Sequence, residues 1–288
     1  MHTEAKQCPL PSALEKETKM VTNIAHRGAR SVAPENTLMA GQRAIDIGAD
    51  LWEVDVATTL DEKLILFHDP ALDRTTNVRE CFPDRSKEPF TTFTFDEIRM
   101  LDAGSWFVET DPFGQIGKGR LTEEDLSECR KQKVPSLEEI LVLTRDAGFA
   151  VNLELKDLPA PMENFPLSGR VLSIVSYLGM GPDQIVFSSF NHDWLGQIQN
   201  RAPTFRVQAL IRDPEDQSLN WGKEEFRIYN ARHTLIADEK IKALKEKNIP
   251  VNLWTVNREN EMKRFITAGA AGIITDFPQR LKRLTEDV

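Results

Sequence analysis

The fold class that the sequence predicts is α/β, with eight parallel strands in a closed (β/α)8 or TIM barrel. Short apolar runs of strand length alternate with longer segments whose apolar residues recur at helical spacing. Leaving out one hairpin arm at 64–69, the predicted parallel strands begin near residues 22, 51, 149, 184, 205, 231, 251 and 272. Eight strand–helix units favour a barrel over a doubly wound open sheet, which usually has fewer strands.

Composition excludes several classes of protein. An apolar content of 40% and a charged content of 28% are typical of a soluble globular chain with a sizeable core. The net charge of −9, with no basic cluster among aromatic residues, disfavours nucleic acid as a partner. The three cysteines form no metal-ligand spacing, and no segment resembles a secretory signal or a membrane span. We therefore predict a cytoplasmic protein without a stable membrane anchor.

The pattern also divides the chain into parts. Residues 1–20 are polar and are predicted to be a loose N-terminal extension. Residues 21–288 are predicted to form one barrel domain. Within it, residues from about 70 to 134 interrupt the alternation with a segment rich in Thr, Asp, Pro and Gly. Such a long insertion after the second-strand hairpin predicts a lid or a binding wall.

The stretch from Ile24 to Asp69 holds the first part of a predicted site. A strand ending at His26 is followed by a helix from Thr37 to Ile47 and then by a strand from Leu51 to Thr58. Glu53 and Asp55 are two residues apart, so both side chains leave the same face of that strand. A buried acidic pair on a covered parallel strand is expected to hold a cation or to share a proton.

The segment after this strand is too short for a crossover helix, so Leu64 to Asp69 is expected to return as an antiparallel arm. A turn centred on Asp61 and Glu62 places His68 opposite Asp55 in the hairpin. The pairing predicts a histidine beside the carboxylates.

The remaining elements restore the alternation. Helices are predicted where a capping residue precedes apolar residues at helical spacing, and strands where a short apolar run stands between turn residues. The later strands are predicted at 149–156, 184–190, 205–211, 231–236, 251–256 and 272–275, and the helices at 95–101, 122–131, 136–147, 167–178, 192–199, 238–247, 259–268 and 278–284.

Polar side chains at the carboxyl ends of barrel strands converge on one site. Glu154 and Lys156 share one face of their strand, so Glu154 becomes a third carboxylate beside Glu53 and Asp55. Three carboxylates without cysteine or paired histidine ligands favour Mg²⁺ or Ca²⁺, with Mn²⁺ as a further possibility, over zinc. One divalent cation is therefore the predicted cofactor.

The other residues of the predicted site suit the cleavage of a phosphodiester. His26 and His68 are candidates for proton transfer, and Arg27 and Lys156 supply positive charge for a phosphate. Trp254 either stacks on the carbon skeleton of a substrate or packs in the barrel. His192, His233 and the Ser188–Ser189 pair are given structural roles.

Seven segments resemble the glycerophosphodiester phosphodiesterases, and they span residues 24–278 in order: HRGAR-SVAPENT, EVDV, FHDPALDRTT, VPSLEEIL, NLELK, WTVN and GIITDFP. The resemblance implies a metal-dependent barrel enzyme that releases an alcohol and sn-glycerol 3-phosphate from deacylated phospholipids. It implies acid–base roles for His26 and His68, metal binding by Glu53, Asp55 and Glu154, and phosphate contacts for Arg27 and Lys156.

Two other functions stay open from the sequence. The first is a lysophospholipase D-type phosphodiesterase, for which phenylalanines of the insertion could line an apolar groove. The second is a noncatalytic protein that binds phosphate esters. If the protein is a phosphodiesterase, the nucleophile is either water or the substrate's glycerol 2-hydroxyl. Attack by the 2-hydroxyl would give a cyclic phosphate. We assign His26 as the base and His68 as the acid.

Overall fold

Eight parallel strands close into a barrel at the centre of the protein. The computed structural model describes residues 21–212 and 226–286, so the predicted extension at 1–20 lies outside the described residues. Each strand of the ring pairs with its two neighbours, and the first strand of the chain pairs with the second to close the ring. The third strand is an antiparallel arm on the second. The predicted (β/α)8 barrel is confirmed.

The described segments contain nine strands and eleven α-helices, numbered here in chain order. The strands are β1 Thr22–His26, β2 Leu51–Thr58, β3 Leu64–Leu66, β4 Val151–Leu155, β5 Ile185–Ser189, β6 Arg206–Ile211, β7 Ile228–Arg232, β8 Val251–Trp254 and β9 Gly272–Thr275. The helices are α1 Leu38–Ile47, α2 Val78–Cys81, α3 Phe95–Met100, α4 Ser105–Thr110, α5 Glu123–Cys129, α6 Leu137–Asp146, α7 Leu167–Tyr177, α8 His192–Arg201, α9 Asp238–Glu246, α10 Glu259–Ala268 and α11 Pro278–Glu286. In these segments, no helix is both long and apolar enough to cross a membrane.

The helix ends follow from local capping chemistry. Thr37 caps α1 by accepting a hydrogen bond from the Ala40 backbone, and Gly48 ends the helix in the left-handed conformation at φ 75°. Ser136 and Glu139 form a reciprocal capping box at the start of α6. These contacts lie within a few residues of one another, and the corresponding helix predictions are confirmed.

The two faces of β2 have different surroundings. Trp52, Val54 and Val56 are fully buried against the outer layer of helices, and the Trp52 indole donates to Thr144 Oγ1 on α6 at 3.1 Å. Glu53 and Asp55 alternate with them and face the interior of the barrel. The alternation along one strand thus separates packing residues from candidate functional residues.

The barrel interior contains an apolar group and a polar group. Ile24, Leu51, Val186 and Ile274 form a separate buried cluster, each two residues before a polar residue on the same strand face. The amide side chains of Gln208, Asn230 and Asn252 form the polar group. Asn230 donates to Gln208 at 2.9 Å, and Asn252 donates to Asn230 at 2.8 Å. The barrel is filled by side chains rather than forming a pore.

The insertion at 70–134 lies between β3 and β4 and carries α2 to α5. Its packing is held by aromatic side chains, of which Phe90, Phe93 and Phe107 are buried. Two others cover arginines: Phe113 lies 5.2 Å from the Arg30 guanidinium, and Trp106 lies 5.8 Å from that of Arg74. The insertion therefore folds back onto residues that lie beside the barrel mouth.

The predicted hairpin register is wrong by one residue. Val56 pairs with Leu66, and the Phe67 backbone donates to the Asp55 carbonyl at 3.0 Å, so Phe67 rather than His68 lies opposite Asp55. The turn causes the difference. The Thr59 backbone N–H donates to the Lys63 carbonyl, which leaves a three-residue loop, and Glu62 in that loop adopts a left-handed φ of 62°. His68 follows the end of β3.

The predicted start of β7 is also wrong, by three residues. The strand begins at Ile228 rather than at 231, and 233–235 form a short 3₁₀ turn. Asn230 interrupts the apolar run, which hides the strand in the sequence. In the barrel, Asn230 faces the amide group, where its side chain has partners.

Two helical glycines provide a test of the packing between the barrel and its helices. A Cβ on Gly41 of α1 would lie 2.6 Å from the Trp52 ring, whereas a Cβ on Gly196 of α8 meets no atom within 4 Å. We expect Gly41→Ala to lower the free energy of unfolding by about 1–3 kcal/mol, because overpacking exceeds the gain in helix propensity.

Gly196→Ala is the matched control and should raise the free energy of unfolding by about 0.4–1 kcal/mol. Urea denaturation of both variants measures the difference. A Gly41→Ala protein as stable as the Gly196→Ala protein would contradict the described packing of α1 on β2.

Candidate active site

Three carboxylates meet inside the barrel mouth. Strand pairing places Asp55 on β2 beside Glu154 on β4, and Glu53 lies one alternation earlier on the same face. One oxygen from each of Glu53, Asp55 and Glu154 lies within 4.8 Å of the others. The cluster predicted from sequence spacing is therefore brought together by the parallel register.

Two cations lie against these carboxylates. Lys156 Nζ is 2.8 Å from Glu154 Oε1 and 3.4 Å from Asp55 Oδ1. Arg27 Nε is 3.2 Å from Asp55 Oδ2, and its Nη1 is 2.8 Å from Glu35 Oε1. Both residues predicted as phosphate contacts thus border the carboxylate cluster, and Arg27 is largely buried there.

Glu53 and Asp55 differ sharply in their acidity. Burial raises the pKa of Asp55, but the charges of Arg27 and Lys156 outweigh this and hold the pKa well below its ordinary value. Burial and the charges of Asp55 and Glu154 raise the pKa of Glu53 well above its ordinary value. The environment thus favours ionisation of Asp55 more strongly than ionisation of Glu53.

The carboxylate cluster fits a hard divalent cation. Glu53 Oε2 accepts a hydrogen bond from the Arg27 backbone at 3.0 Å, whereas the buried Glu53 Oε1 has no hydrogen-bond partner among the described residues. Buried carboxylate oxygens are ordinarily hydrogen-bonded, paired with charge or bound to a metal. An all-oxygen donor set of this kind suits Mg²⁺ or Ca²⁺.

Asn36 fixes the orientation of one carboxylate. Its Nδ2 donates to Asp55 Oδ2 at 2.8 Å, and its Oδ1 accepts from the Asp55 backbone at 3.2 Å. The residue stands just before the α1 cap, Thr37. Its side chain is directed to the carboxylate cluster.

His26 ends β1 and bonds an acidic side chain from the far end of the chain. Its Nδ1 lies 2.6 Å from Asp276 Oδ1, and Asn257 donates to the other Asp276 oxygen at 2.7 Å. Burial, assisted by the Arg27 charge, lowers the pKa of His26 to about 4 against the opposing effect of Asp276. His26 is therefore neutral at pH 7 and able to accept a proton.

His68, which follows the β3 arm, has a corresponding partner. Its Nδ1 lies 2.6 Å from Asp69 Oδ1, and Asp69 also pairs with Arg74. The His68 side chain is 32% exposed, against 16% for His26. With Nδ1 of each histidine held by a carboxylate, the ring atom left to act on a substrate is Nε2.

Trp254, His192 and His233, which were also singled out from the sequence, have local partners. Trp254 donates through its indole to the Asn230 carbonyl at 3.0 Å and lies edge-to-face with Phe190. His192 bonds the Leu210 carbonyl and His233 bonds the Trp254 carbonyl, each at 3.1 Å. The structural roles expected for His192 and His233 are consistent with these contacts.

Sequence reasoning missed the residues that hold the histidines. Asp69 lies in the FHDPALDRTT segment directly after His68, and Asp276 lies in the GIITDFP segment after the last barrel strand, but the sequence patterns gave neither residue a role. Glu35, in the loop between β1 and α1, contacts the guanidinium groups of Arg27, Arg30 and Arg74. The position of Asp276 at a strand's carboxyl end was the available signal.

Comparison with known proteins gives the family. The profile of the Glycerophosphoryl diester phosphodiesterase family matches residues 26–280, a range that holds every member of the site described above. The chain belongs to this family. The resemblance drawn from the seven sequence segments is confirmed.

Relatives in the glycerophosphoryl diester phosphodiesterase family come from bacteria and animals. A glycerophosphodiester phosphodiesterase of Caldanaerobacter subterraneus is 31% identical, over 91% of this chain and 96% of the relative. The mouse glycerophosphoinositol inositolphosphodiesterase GDPD2 is 32% identical over 91% of this chain, which spans only 47% of that relative. A crystal structure of a putative glycerophosphoryl diester phosphodiesterase from Silicibacter pomeroyi superposes with a TM-score of 0.74 at 27% identity, covering 93% of each chain.

Glu35 provides a test of the site's electrostatics. Burial raises its pKa, but the effects of Arg27, Arg74 and Arg30 outweigh burial and lower the pKa to about 2. Because the folded pKa lies below the unfolded one, the stabilisation is full above about pH 4.5 and is lost as pH falls toward 2. Roughly 2–3 kcal/mol of pH-dependent stability follows.

We expect Glu35→Gln to flatten the decline in unfolding free energy between pH 5 and pH 2.5, measured by urea denaturation at each pH. Glu35→Asp keeps a titrating carboxylate and should retain most of the decline. Equal slopes for the Gln variant and the unsubstituted protein would show that Glu35 is not held by the arginines.

Proposed function

We propose that the protein hydrolyses glycerophosphodiesters to an alcohol and sn-glycerol 3-phosphate. The observation that carries the proposal is the pair of histidines, each held at Nδ1 by an aspartate 2.6 Å away, beside a three-carboxylate cluster. Family membership supports the reaction class. The different activity names of the bacterial and mouse relatives leave the alcohol to be identified by assay.

One divalent cation, Mg²⁺ or Ca²⁺ with Mn²⁺ as a further candidate, is the proposed cofactor, and Glu53, Asp55 and Glu154 would hold it. When bound, it supplies charge neutralisation at the phosphate oxygens. Its support is the all-oxygen donor set and the unpartnered Glu53 Oε1.

The two histidines are proposed to transfer protons at opposite sides of the scissile bond. His26 acts as the base at Nε2, because burial keeps it neutral and Asp276 fixes the ring from Nδ1. His68, more exposed and held by Asp69, protonates the departing alkoxide. The proton that His26 accepts comes from water or from the glycerol 2-hydroxyl, and the two routes differ in forming a cyclic phosphate.

Arg27, Lys156 and Trp254 are the proposed substrate contacts. Arg27 and Lys156 place two positive charges at the edge of the carboxylate cluster, where a phosphate would meet them. Trp254 ends β8 with an indole that is partly exposed and braced by Phe190. That aromatic face suits the carbon skeleton of glycerol.

We further propose that residues 21–288 form one catalytic unit, in which the insertion at 70–134 borders the alcohol side of the substrate. The position of the insertion between β3 and β4, with aromatic residues on Arg30 and Arg74, supports this role. A small-molecule substrate rather than nucleic acid, the absence of stable membrane anchoring and a cytoplasmic location stay predictions from the sequence.

The packing of the insertion's phenylalanines favours glycerophosphodiesters over lysophospholipids as substrates. Phe90, Phe93 and Phe107 are buried in packing, and Phe113 packs edge-to-face on Phe277. These side chains are therefore committed to internal contacts and are not arranged as an apolar groove for an acyl chain. A substrate panel comparing glycerophosphocholine with lysophosphatidylcholine tests the choice.

The catalytic assignment predicts large losses in the histidine variants. His26→Ala and His68→Ala should each lower kcat for glycerophosphocholine by about 10²–10⁴-fold, because a positioned proton donor or acceptor contributes that much. Release of sn-glycerol 3-phosphate, followed with a coupled dehydrogenase, measures it. His192→Gln is the matched control, since it can still bond the Leu210 carbonyl, and should retain activity.

Persistent turnover in His26→Ala would remove His26 from the mechanism. Binding of glycerophosphocholine by the unsubstituted protein without any turnover would instead favour a noncatalytic phosphate-ester binding protein.

The cofactor assignment predicts that exhaustive chelation abolishes turnover and that added Mg²⁺, Ca²⁺ or Mn²⁺ restores it. Glu154→Gln should raise the cation concentration for half-maximal activity by at least about 10-fold, because it removes one charged ligand. Asp238→Asn, which alters an exposed carboxylate paired with Arg264, is the control. Full activity after chelation would exclude the proposed metal site.

A further inference from the structure

Glu35 joins three arginines of the site. Its side chain is 5% exposed in the folded chain, so its contacts are made away from bulk water. Oε1 lies 2.8 Å from Arg27 Nη1 and 2.6 Å from Arg74 Nη2, and Oε2 lies 3.2 Å from Arg30 Nη1. A single carboxylate is therefore shared by three guanidinium groups, each of which also pairs with an aspartate.

One arm from Glu35 leads to His26. Arg30 Nε lies 2.9 Å from Asp276 Oδ1, the same oxygen that lies 2.6 Å from His26 Nδ1. The Arg30 guanidinium is also covered by the Phe113 ring of the insertion. Glu35 and Asp276 thus hold Arg30 from two sides, and Asp276 in turn sets the orientation of the imidazole.

A second arm leads to His68 by the same sequence of groups. Arg74 pairs through Nε with Asp69, whose Oδ1 lies 2.6 Å from His68 Nδ1. Trp106 of the insertion covers this arginine, as Phe113 covers the other. Each arm therefore runs from Glu35 through arginine and aspartate to a histidine Nδ1.

The two arms come from separate parts of the chain. Glu35 and Arg30 lie in the loop after β1, whereas Asp69 and Arg74 follow the β3 arm, and Asp276 follows β9. No helix or strand among the described elements contains both histidines. Their relative placement depends on contacts between loops, and Glu35 is the group that both arms share.

We propose that Glu35 is a positioning residue for both histidines. Through Arg30 and Arg74 it fixes the positions of the two aspartates that contact Nδ1 of the histidines. The inference rests on the proposed function, because it assigns the geometry that proton transfer needs. Glu35 itself does not touch the reacting atoms. Losing its charge leaves both arginines without their shared partner, and a shift of about 1 Å in a catalytic group can cost about 10²-fold in rate.

A leaving-group comparison separates this role from general stabilisation. Glycerophosphocholine releases a poor leaving group that needs protonation, whereas the p-nitrophenyl ester of glycerol 3-phosphate releases a phenolate that does not. Glu35→Gln should lower kcat on glycerophosphocholine by about 100-fold with KM changed only a few-fold. The loss on the nitrophenyl ester should be at least about 5-fold smaller, because only the base is then impaired.

Three further variants complete the experiment. Glu35→Asp keeps the charge and should recover part of the lost kcat. Arg30→Gln and Arg74→Gln each open one arm, and only the arm of the acid histidine should give a loss that depends on the leaving group. Arg74 has a side chain that is 43% exposed, so its variant tests the arm even where Glu35→Gln does not fold.

Equal losses on the two substrates in Glu35→Gln, Arg30→Gln and Arg74→Gln would overturn the inference and assign Glu35 to stability alone. Unchanged kcat in Glu35→Gln would overturn it as well. Failure of the unsubstituted protein to hydrolyse either ester would instead reject the proposed function, so the two failures are distinguishable.

Discussion

The meeting of three carboxylates in one barrel mouth, two of them buried and one partly buried, is the constraint on which the rest of the site depends. Removing carboxylates from water is costly, and placing them within 4.8 Å of one another adds mutual repulsion. The chain offsets these costs with Arg27 and Lys156, with Asn36 and with the unequal acidity of Glu53 and Asp55. Such a concentration of charge is typical of sites that bind a cation or an anionic substrate.

The parallel register makes this arrangement possible without distorting the barrel. Asp55 and Glu154 are paired on adjacent strands, so their side chains emerge at the same height on the inner face. The outer face of β2 meanwhile packs Trp52 against α1 and α6, which anchors the strand mechanically. Packing and chemistry share each strand by using alternate residues, so neither compromises the other.

Much of this could be predicted from the sequence, because the deciding signals are local. The eight strand–helix units, the capping residues and the shared strand face of Glu53 and Asp55 are each readable within a few residues. The joining of Glu154 to that pair follows once a barrel is assumed. The start of β7 is not visible in the sequence, because Asn230, a polar residue that bonds other amides inside the barrel, interrupts the apolar run. The hairpin register depends on the left-handed backbone conformation of Glu62 in the turn.

Most of the frame around the histidines could not be predicted, because only Asp69 is next to its histidine in the sequence. His26 and Asp276 are 250 residues apart and meet only through the pairing of β1 with β9. Glu35 reads as an ordinary acidic residue before a helix until Arg30 and Arg74 are seen to converge on it. Such side-chain networks between loops depend on the finished tertiary structure.

That long-range contact has a consequence for the order in which the molecule acquires its parts during synthesis. The carboxylate set is present in the growing chain once β4 has emerged, yet β1 still lacks one neighbour and His26 still lacks its aspartate. Only the last strand supplies both at once. During synthesis, the three proposed cation ligands are therefore made early, whereas Asp276, the partner of His26, is made only after the last strand of the barrel.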